Sequence, residues 1–258
     1  MGDTVQVLER AMSLLLSYEE NNGEFGVTEL AEKLNLHKAT VHRILKTLEL
    51  EGLIQQNHSN GKYYLGWRLI SLGTLALEHF SLRGQAIDLM EEILDEYQET
   101  VDLAVMQEEA ILYVEVLESP QPVKIAARPG RRLPAYCTAT GKAFLAFSSE
   151  EIRTRLFPRE FQPFTELTIL DVETLNKDLD ASRMRGYAIS MEEYEIGIHA
   201  VAAPVYNHNN DVEAVIAIAG PSYRMPMERL DKMGAVLCEK TALLTEKLHG
   251  ITGIIRKR

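Results

Sequence analysis

Apolar positions near the start of the chain recur at helical spacing, and beyond residue 100 they change to the two-residue alternation of strands. "TVQVLERAMSLLLSYEE" aligns Val5, Leu8, Ala11, Met12, Leu15 and Leu16 in one stripe behind a Thr4 cap, which predicts an amphipathic helix buried along that stripe. "NNGEFG" breaks it, and "VTELAEKL" starts a second helix with Thr28 as cap and Leu30, Ala31 and Leu34 inward. After "NLH", the stretch "KATVHRILKTLELEG" sets Val41, Ile44, Leu45 and Leu48 at i, i+3, i+4 and i+7, with Gly52 as its stop. "LIQQNHSNGKYYLG" then reads as two short strands around a tight Asn60-Gly61 turn. Three helices and a hairpin predict a winged helix-turn-helix over residues 1–66.

Between Trp67 and Phe80 the apolar residues Leu69, Ile70, Leu72, Leu75, Ala76, Leu77 and Phe80 occupy more than one stripe. Such a helix needs two packing partners, one of them from another subunit, so residues 67–83 are expected to form a linker and dimerisation helix ended by Gly84. "QAIDLMEEILDEYQE" follows as a helix with Ile87, Met90, Leu94 and Tyr97 in register. The rest, residues 84–258, reads as a second domain. "TVDLAVMQEEAILYVEVLE" predicts two strands around a Gln107–Glu109 turn, and "VKIAARPG" a third strand ended by Pro129-Gly130. "YCTATGKAFLAF" turns from loop into helix, "SSEEIRTRLF" opens another with Ser148 and Glu151 at capping-box spacing, and "DVETLNKDLDASRMRG" runs from an Asp171 cap to a Gly186 stop. Strands at about 187–192, 198–206 and 212–219, the last two joined by "NHNND", precede a helix from Pro226 to about Leu248. The fold class is α+β, with about six strands in a mixed or antiparallel sheet flanked by helices.

Charge refines the first domain. The chain has 258 residues, 46% hydrophobic, and a formal net charge of -11. An acidic protein does not adhere to nucleic acid or anionic lipid in general, so a nucleic-acid contact requires a local patch. Lys33 to Leu48 is that patch: it holds Lys33, Lys38, Arg43 and Lys46, two histidines and no carboxylate. With the apolar residues fixing the rotation of the third helix, Lys38, Ala39, Thr40, His42, Arg43, Lys46 and Thr47 point outward. Thr40 and Arg43 suit a thymine methyl and a guanine edge in the major groove, while Lys38, Lys46 and Lys62 suit phosphates. Arg10 is open between a phosphate and its acidic neighbours.

No apolar run is long enough for a membrane span, and an acid stands near the N-terminus where a secretion signal carries basic residues, so the chain is expected in the cytoplasm. Cys137 and Cys238 lie in unlike contexts and read as reduced thiols. No metal site and no cofactor are expected. Gly141-Lys142 lacks the preceding glycine and following hydroxyl of a phosphate loop, which argues against a nucleoside triphosphate. The helix N-terminus around Thr138 to Gly141 is instead suited to a carboxylate. Cys137 reads as a buried structural thiol, since no spacing rule places it with His199 as nucleophile and base, Glu192, Glu193 and Glu195 read as a solvated acidic turn, and "NHNND" as a hairpin turn. Arg128, Arg131 and Arg132 are open between an anion-attracting rim and an exposed loop.

"LAEKLNLHKATVHRILKTLELEGLI" with "GKYYLG", followed by "RLPAYCTATGKAFLAF", "GYAISMEEYEIGIHAVAAPV" and "AVIAIAGPSYR", resembles the IclR-type bacterial transcription regulators over nearly the whole chain. The resemblance implies a homodimer or dimer of dimers on double-stranded operator DNA, acting as a repressor of a catabolic operon, with a small-molecule effector in a GAF-like domain. Carried over by position, it implies an effector pocket of Ala139, Thr140, Gly141, Ser190, Ala200, Ala217 and Ala219. Members that bind very small oxoacids have an acid, a cysteine and serines at the last four positions. The Ser190, Ala200, Ala217 and Ala219 of this chain imply an effector with an apolar or aromatic body and a carboxylate, rather than glyoxylate or pyruvate. A cytosolic enzyme with an accessory winged helix, or a protein-interaction adaptor, is the alternative.

Overall fold

A computed structural model describes residues 5–20, 23–78, 81–107 and 110–248. The Thr4 cap, the roles of Leu77 and Phe80, the centre of the Gln107–Glu109 turn and the tail after Leu248 lie outside the described residues or side chains. The chain divides into two compact units, Met1–His79 and Phe80–Arg258.

In the first unit, α1 (Gln6–Glu20), α2 (Val27–Lys33) and α3 (Lys38–Leu50) precede the hairpin β1 (Ile54–Gln56) and β2 (Tyr63–Leu65) and the helix α4 (Trp67–Glu78). Helix α3 buries Val41, Ile44, Leu45 and Leu48, the predicted face. Helix α1 buries only the edge of its predicted stripe: Ala11 and Leu15 pack partly on the core, Val5, Leu8, Met12 and Leu16 are exposed, and Leu14, Ser17 and Tyr18 are the buried residues. Two stripes compete on this helix, and the less apolar one is selected because the Tyr18 hydroxyl donates to the Tyr63 carbonyl and its ring packs edge-on against Phe25. The cap of α2 is Gly26 with Glu29, not Thr28: the Gly26 N–H donates to Glu29 Oε2. The wing turn is longer than predicted, running from Asn57 to Lys62, with the positive φ only at Gly61 (+73°). Asn57 and Asn60 hold it by accepting from the backbone of Ser59 and Lys62.

The second unit contains α5 (Ser81–Tyr97), β3 (Thr100–Gln107), β4 (Ala110–Leu117), β5 (Arg132–Leu133), α6 (Ala139–Phe147), α7 (Glu150–Leu156), α8 (Val172–Arg185), β6 (Ala188–Met191), β7 (Ile198–Tyr206), β8 (Val212–Pro221) and α9 (Met227–Leu248). Gly84 lies inside α5 and does not end a helix. The strands form a six-stranded sheet in the order β5-β4-β3-β8-β7-β6, with every described pairing antiparallel. Residues 123–130 are not a strand: only Arg132 and Leu133 join the sheet, against Leu112 and Ile111. Asp171 and Gly186 bound α8 as predicted, whereas α7 is capped by Ser149 rather than Ser148.

Strand alternation sorts side chains by size. Val101, Leu103, Val201, Val205, Ile216 and Ile218 pack with Met90, Ile93, Leu230 and Leu237 of α5 and α9. The opposite face carries Asp102, Ala104, Ala200, Ala202, Ala217 and Ala219 toward α6. Bulky residues close the first interface. Alanines leave unfilled space on the second.

Candidate functional sites

Two sites follow, one in each unit. On the first, Lys38, Ala39, His42, Arg43, Lys46 and Thr47 are exposed along α3 and Thr40 is half-buried. Asn35, at φ +50°, turns the chain from α2 into α3. Lys46 pairs with Glu49 at 3.1 Å, and Thr47 donates back to the Arg43 carbonyl. Lys62 on the wing loop pairs with Glu29 at 2.9 Å, so reaching a phosphate requires it to leave an exposed, weak ion pair. The Gly26 N–H and then Lys62 hold the Glu29 carboxyl below its usual range. The outward face is an amphipathic helix without a carboxylate until Glu49, able to approach a phosphate-lined groove.

On the second unit, α6 rises from the Thr138 cap, whose Oγ1 accepts from the Gly141 N–H at 3.1 Å. The helix N-terminus leaves its first amides without intrahelical acceptors and presents the positive end of the helix dipole. In front of it lies a cavity of about 60 Å³, room for several water-sized groups. Ala139, Thr140, Ser190, Ala200, Ala217 and Ala219 all line it. Gly141 is set back: a Cβ there would sit 2.3 Å from the Ala135 Cα, so its role is to let α6 approach the preceding loop. Ile125, Ala126 and Ala127, predicted as strand, form part of the wall instead.

The sequence reading missed Asp102, Tyr113, Leu133, Tyr194 and Ile198, which also line the cavity. Asp102 is fully buried on β3 and neither carboxylate oxygen has a hydrogen-bond partner among the described residues. Desolvation pushes its carboxyl up to about 8, so it is protonated at neutral pH. The available signal was a lone acid on the inward phase of an apolar strand, "TVDLAVM". Of the three arginines in the preceding loop, Arg131 lines the cavity, donating to the Ala126 carbonyl at 3.2 Å and lying 5.6 Å from the Tyr194 ring centre.

The acidic turn is not uniformly solvated. Glu193 is buried, with Oε1 2.6 Å from Lys142 Nζ, and Thr168 donates to its carbonyl at 2.7 Å. Lys142 Nζ also stands 2.9 Å from Asp178 Oδ2, an ion contact without hydrogen-bond alignment. Burial pushes the Glu193 carboxyl upward and the Lys142 ammonium opposes it. Lys142 thus ties α6 to the segment that carries Tyr194 over the cavity. Burial, then Glu193, pushes the Cys137 thiol up to about 12, and His199 Nδ1 is 2.9 Å from the Met225 carbonyl. That thiol is held in its unreactive, protonated form. Among the described residues no cluster of three or more His, Cys, Asp or Glu is placed to hold a metal, and no helix is long and apolar enough to cross a membrane.

A winged helix-turn-helix in one chain with a cavity-bearing sheet domain is the make-up of a DNA-binding transcription regulator. The comparisons carry this to a family. Residues 7–58 match the IclR helix-turn-helix domain and residues 74–243 the bacterial transcriptional regulator IclR C-terminal domain. The chain is 34% identical over 216 residues to the HTH-type transcriptional regulator XynR of Escherichia coli, covering 83% of this chain and 86% of XynR. It is 31% identical over 251 residues to the transcriptional repressor IclR of the same organism, covering 96% and 91%. The crystal structure of an IclR transcriptional regulator from Alicyclobacillus acidocaldarius superposes with a TM-score of 0.85 at 28% identity, over 95% of this chain and all of that one. The chain belongs to the IclR family of bacterial transcriptional regulators. Its relatives are DNA-binding regulators, not enzymes.

Proposed function

We propose that this regulator is a cytoplasmic repressor of a catabolic operon, released or reinforced by a small organic effector bound in the cavity of its second unit. Lys38, Ala39, Thr40, His42, Arg43 and Lys46 of α3, with Lys62 of the wing, face operator DNA. Arg43 and Thr40 read bases and the lysines engage phosphates. Residues 67–83 act as linker and dimerisation segment, and the working species is a homodimer or dimer of dimers. The exposed Trp67, Ile70, Leu72 and Leu75 of α4 support a covered face there. The effector is a carboxylate with an apolar or aromatic body, held among Ala139, Thr140, Ser190, Ala200, Ala217 and Ala219.

The observation that carries this reading is the cavity at the α6 N-terminus, floored by alanines and lined by buried polar groups. An effector shifts operator affinity only by its difference in affinity between the DNA-competent and incompetent states, typically about 1–3 kcal/mol or roughly 5- to 150-fold. Operator sequences selected from genomic fragments, then titrated by gel shift with and without small carboxylates, test it. An effector-dependent change in operator affinity that disappears in Ala217→Trp, which fills the cavity, is the expected result. An effect that survives the filled cavity places the effector elsewhere.

A further inference from the structure

The cavity contains a group that packing alone does not explain. Asp102 pairs in register with Ala217 of β8 and Val116 of β4, and its side chain shares the alanine face with Ala104. It is fully buried, lines the cavity, and both of its oxygens lack a hydrogen-bond partner among the described residues. Thr140, on the first turn of α6, is also buried and lines the cavity, with its side chain in hydrogen-bonding reach of Tyr113. A buried polar group left unpaired is a standing cost to the fold, and a partner arriving from outside the chain removes it. Arg131 is half-buried and lines the same cavity, as do Thr138, Ala139 and Thr140 at the α6 N-terminus. The lining therefore combines a guanidinium and a helix N-terminus, suited to an anion, with a buried hydrogen-bonding anchor on β3 and the alanine surface of the sheet.

Resting on the effector-cavity reading above, we propose that Asp102 is the specificity-determining residue of the cavity and that its ligand is a hydroxy acid. The ligand carboxylate lies at the α6 N-terminus beside Arg131, and its hydroxyl is bonded by Asp102. A hydroxyl suits this carboxyl because both groups donate and accept. With its carboxyl pushed up to about 8, Asp102 carries its proton at neutral pH. An ammonium would require it to ionise and two charges to be buried together. The charged and titratable groups lining the cavity with it are Tyr113 from β4, Arg131 from the loop before β5, Cys137 before α6, and Tyr194 and Glu195 on the segment after β6.

The test uses matched acids on the full-length chain by calorimetry at neutral pH. The sets are lactate, propionate and alanine, and 4-hydroxybenzoate, benzoate and 4-aminobenzoate. In at least one set the hydroxy acid is expected to bind more tightly than the acid lacking the hydroxyl by roughly 5- to 150-fold, the cost of leaving one buried polar group unpaired. In Asp102→Val the preference collapses to near unity, and Asp102→Asn keeps part of it. Asp102→Val should also melt at a higher temperature than the parent, because it removes an unpaired buried group. A structural role would lower the melting temperature instead. Equal binding of the matched acids, preference for the amino compound, undiminished preference in Asp102→Val, or binding by no acid overturns the proposal. The effector-cavity reading fails separately, if acids bind equally well to Ala217→Trp.

Discussion

Helices α3 and α6 both carry lysines, and the two environments give those lysines opposite uses. Lys46 of α3 has 61% of its side chain exposed and pairs with Glu49 one turn on. Lys142 of α6 is 1% exposed and holds Glu193, 51 residues away in sequence. In α3 only one stripe is buried, so charge outside the stripe remains solvated and available to a partner. In α6 every residue from Ala139 to Ala146 is buried, so a charge must find its counterion inside the protein. The same residue type is an adjustable surface tool in one unit and a fixed tie in the other.

The largest effect should come from breaking that tie. Lys142→Ala leaves Glu193 buried without its cation and is expected to cost about 3–5 kcal/mol of stability. Urea melts of the full chain measure it, and pairing Lys142→Met with Glu193→Leu should recover most of the loss. A single variant that melts like the parent would mean that the pair does not hold the segment over the cavity.

Asp102 should separate the two units by pH. Its usual value of 3.8 is raised to about 8 in the folded chain. Below the unfolded value both states hold the proton. As pH rises from there to about 8, the unfolded chain loses the proton and the folded chain keeps it. The parent should therefore lose stability relative to Asp102→Asn over this window, by of order 1 kcal/mol per pH unit, and level off above it. Thermal melts of both proteins across that range check the slope, and parallel curves would sink the assignment.

On the reading face, Arg43→Ala is expected to lower operator affinity by about 1–3 kcal/mol and to relax discrimination, with stability nearly unchanged. Lys62→Ala should weaken operator and scrambled DNA alike and reduce the salt slope by about one. Gel shifts at several salt concentrations distinguish the two roles. The smallest effect belongs to Lys46→Ala, whose exposed pair with Glu49 contributes less than about 0.5 kcal/mol to stability. A stability loss of the Lys142 size would erase the contrast between the helices.

Legibility followed the range of the interactions involved. Helix α3 was readable in full because its buried face, outward face and Gly52 stop all lie within one short stretch. Asp171, Gly186 and the alternating strands β6, β7 and β8 were readable for the same reason. Helix α1 was misread because two apolar stripes are written on it, and periodicity finds stripes without saying which one the rest of the unit covers. Val123 to Gly130 reads like a strand, but no sheet edge receives it, and Ile125, Ala126 and Ala127 line the cavity instead. Ser190, Ala200, Ala217 and Ala219 were located by family resemblance, whereas Asp102 was passed over as an ordinary strand residue.

By itself the sequence determined the two-unit plan, the winged helix-turn-helix, the carboxylate-free stretch of α3 and the family. Each depends on local spacing or on motifs in order along the chain. Only the tertiary structure decided that Glu193 is the partner of Lys142, that Gly141 serves close packing, and that Asp102 faces a cavity without a hydrogen-bond partner among the described residues. Those facts arise where α6 meets the sheet, the loop before it and the segment after β6. A carboxyl group's solvation and partners are properties of that meeting, which no single stretch of the chain contains.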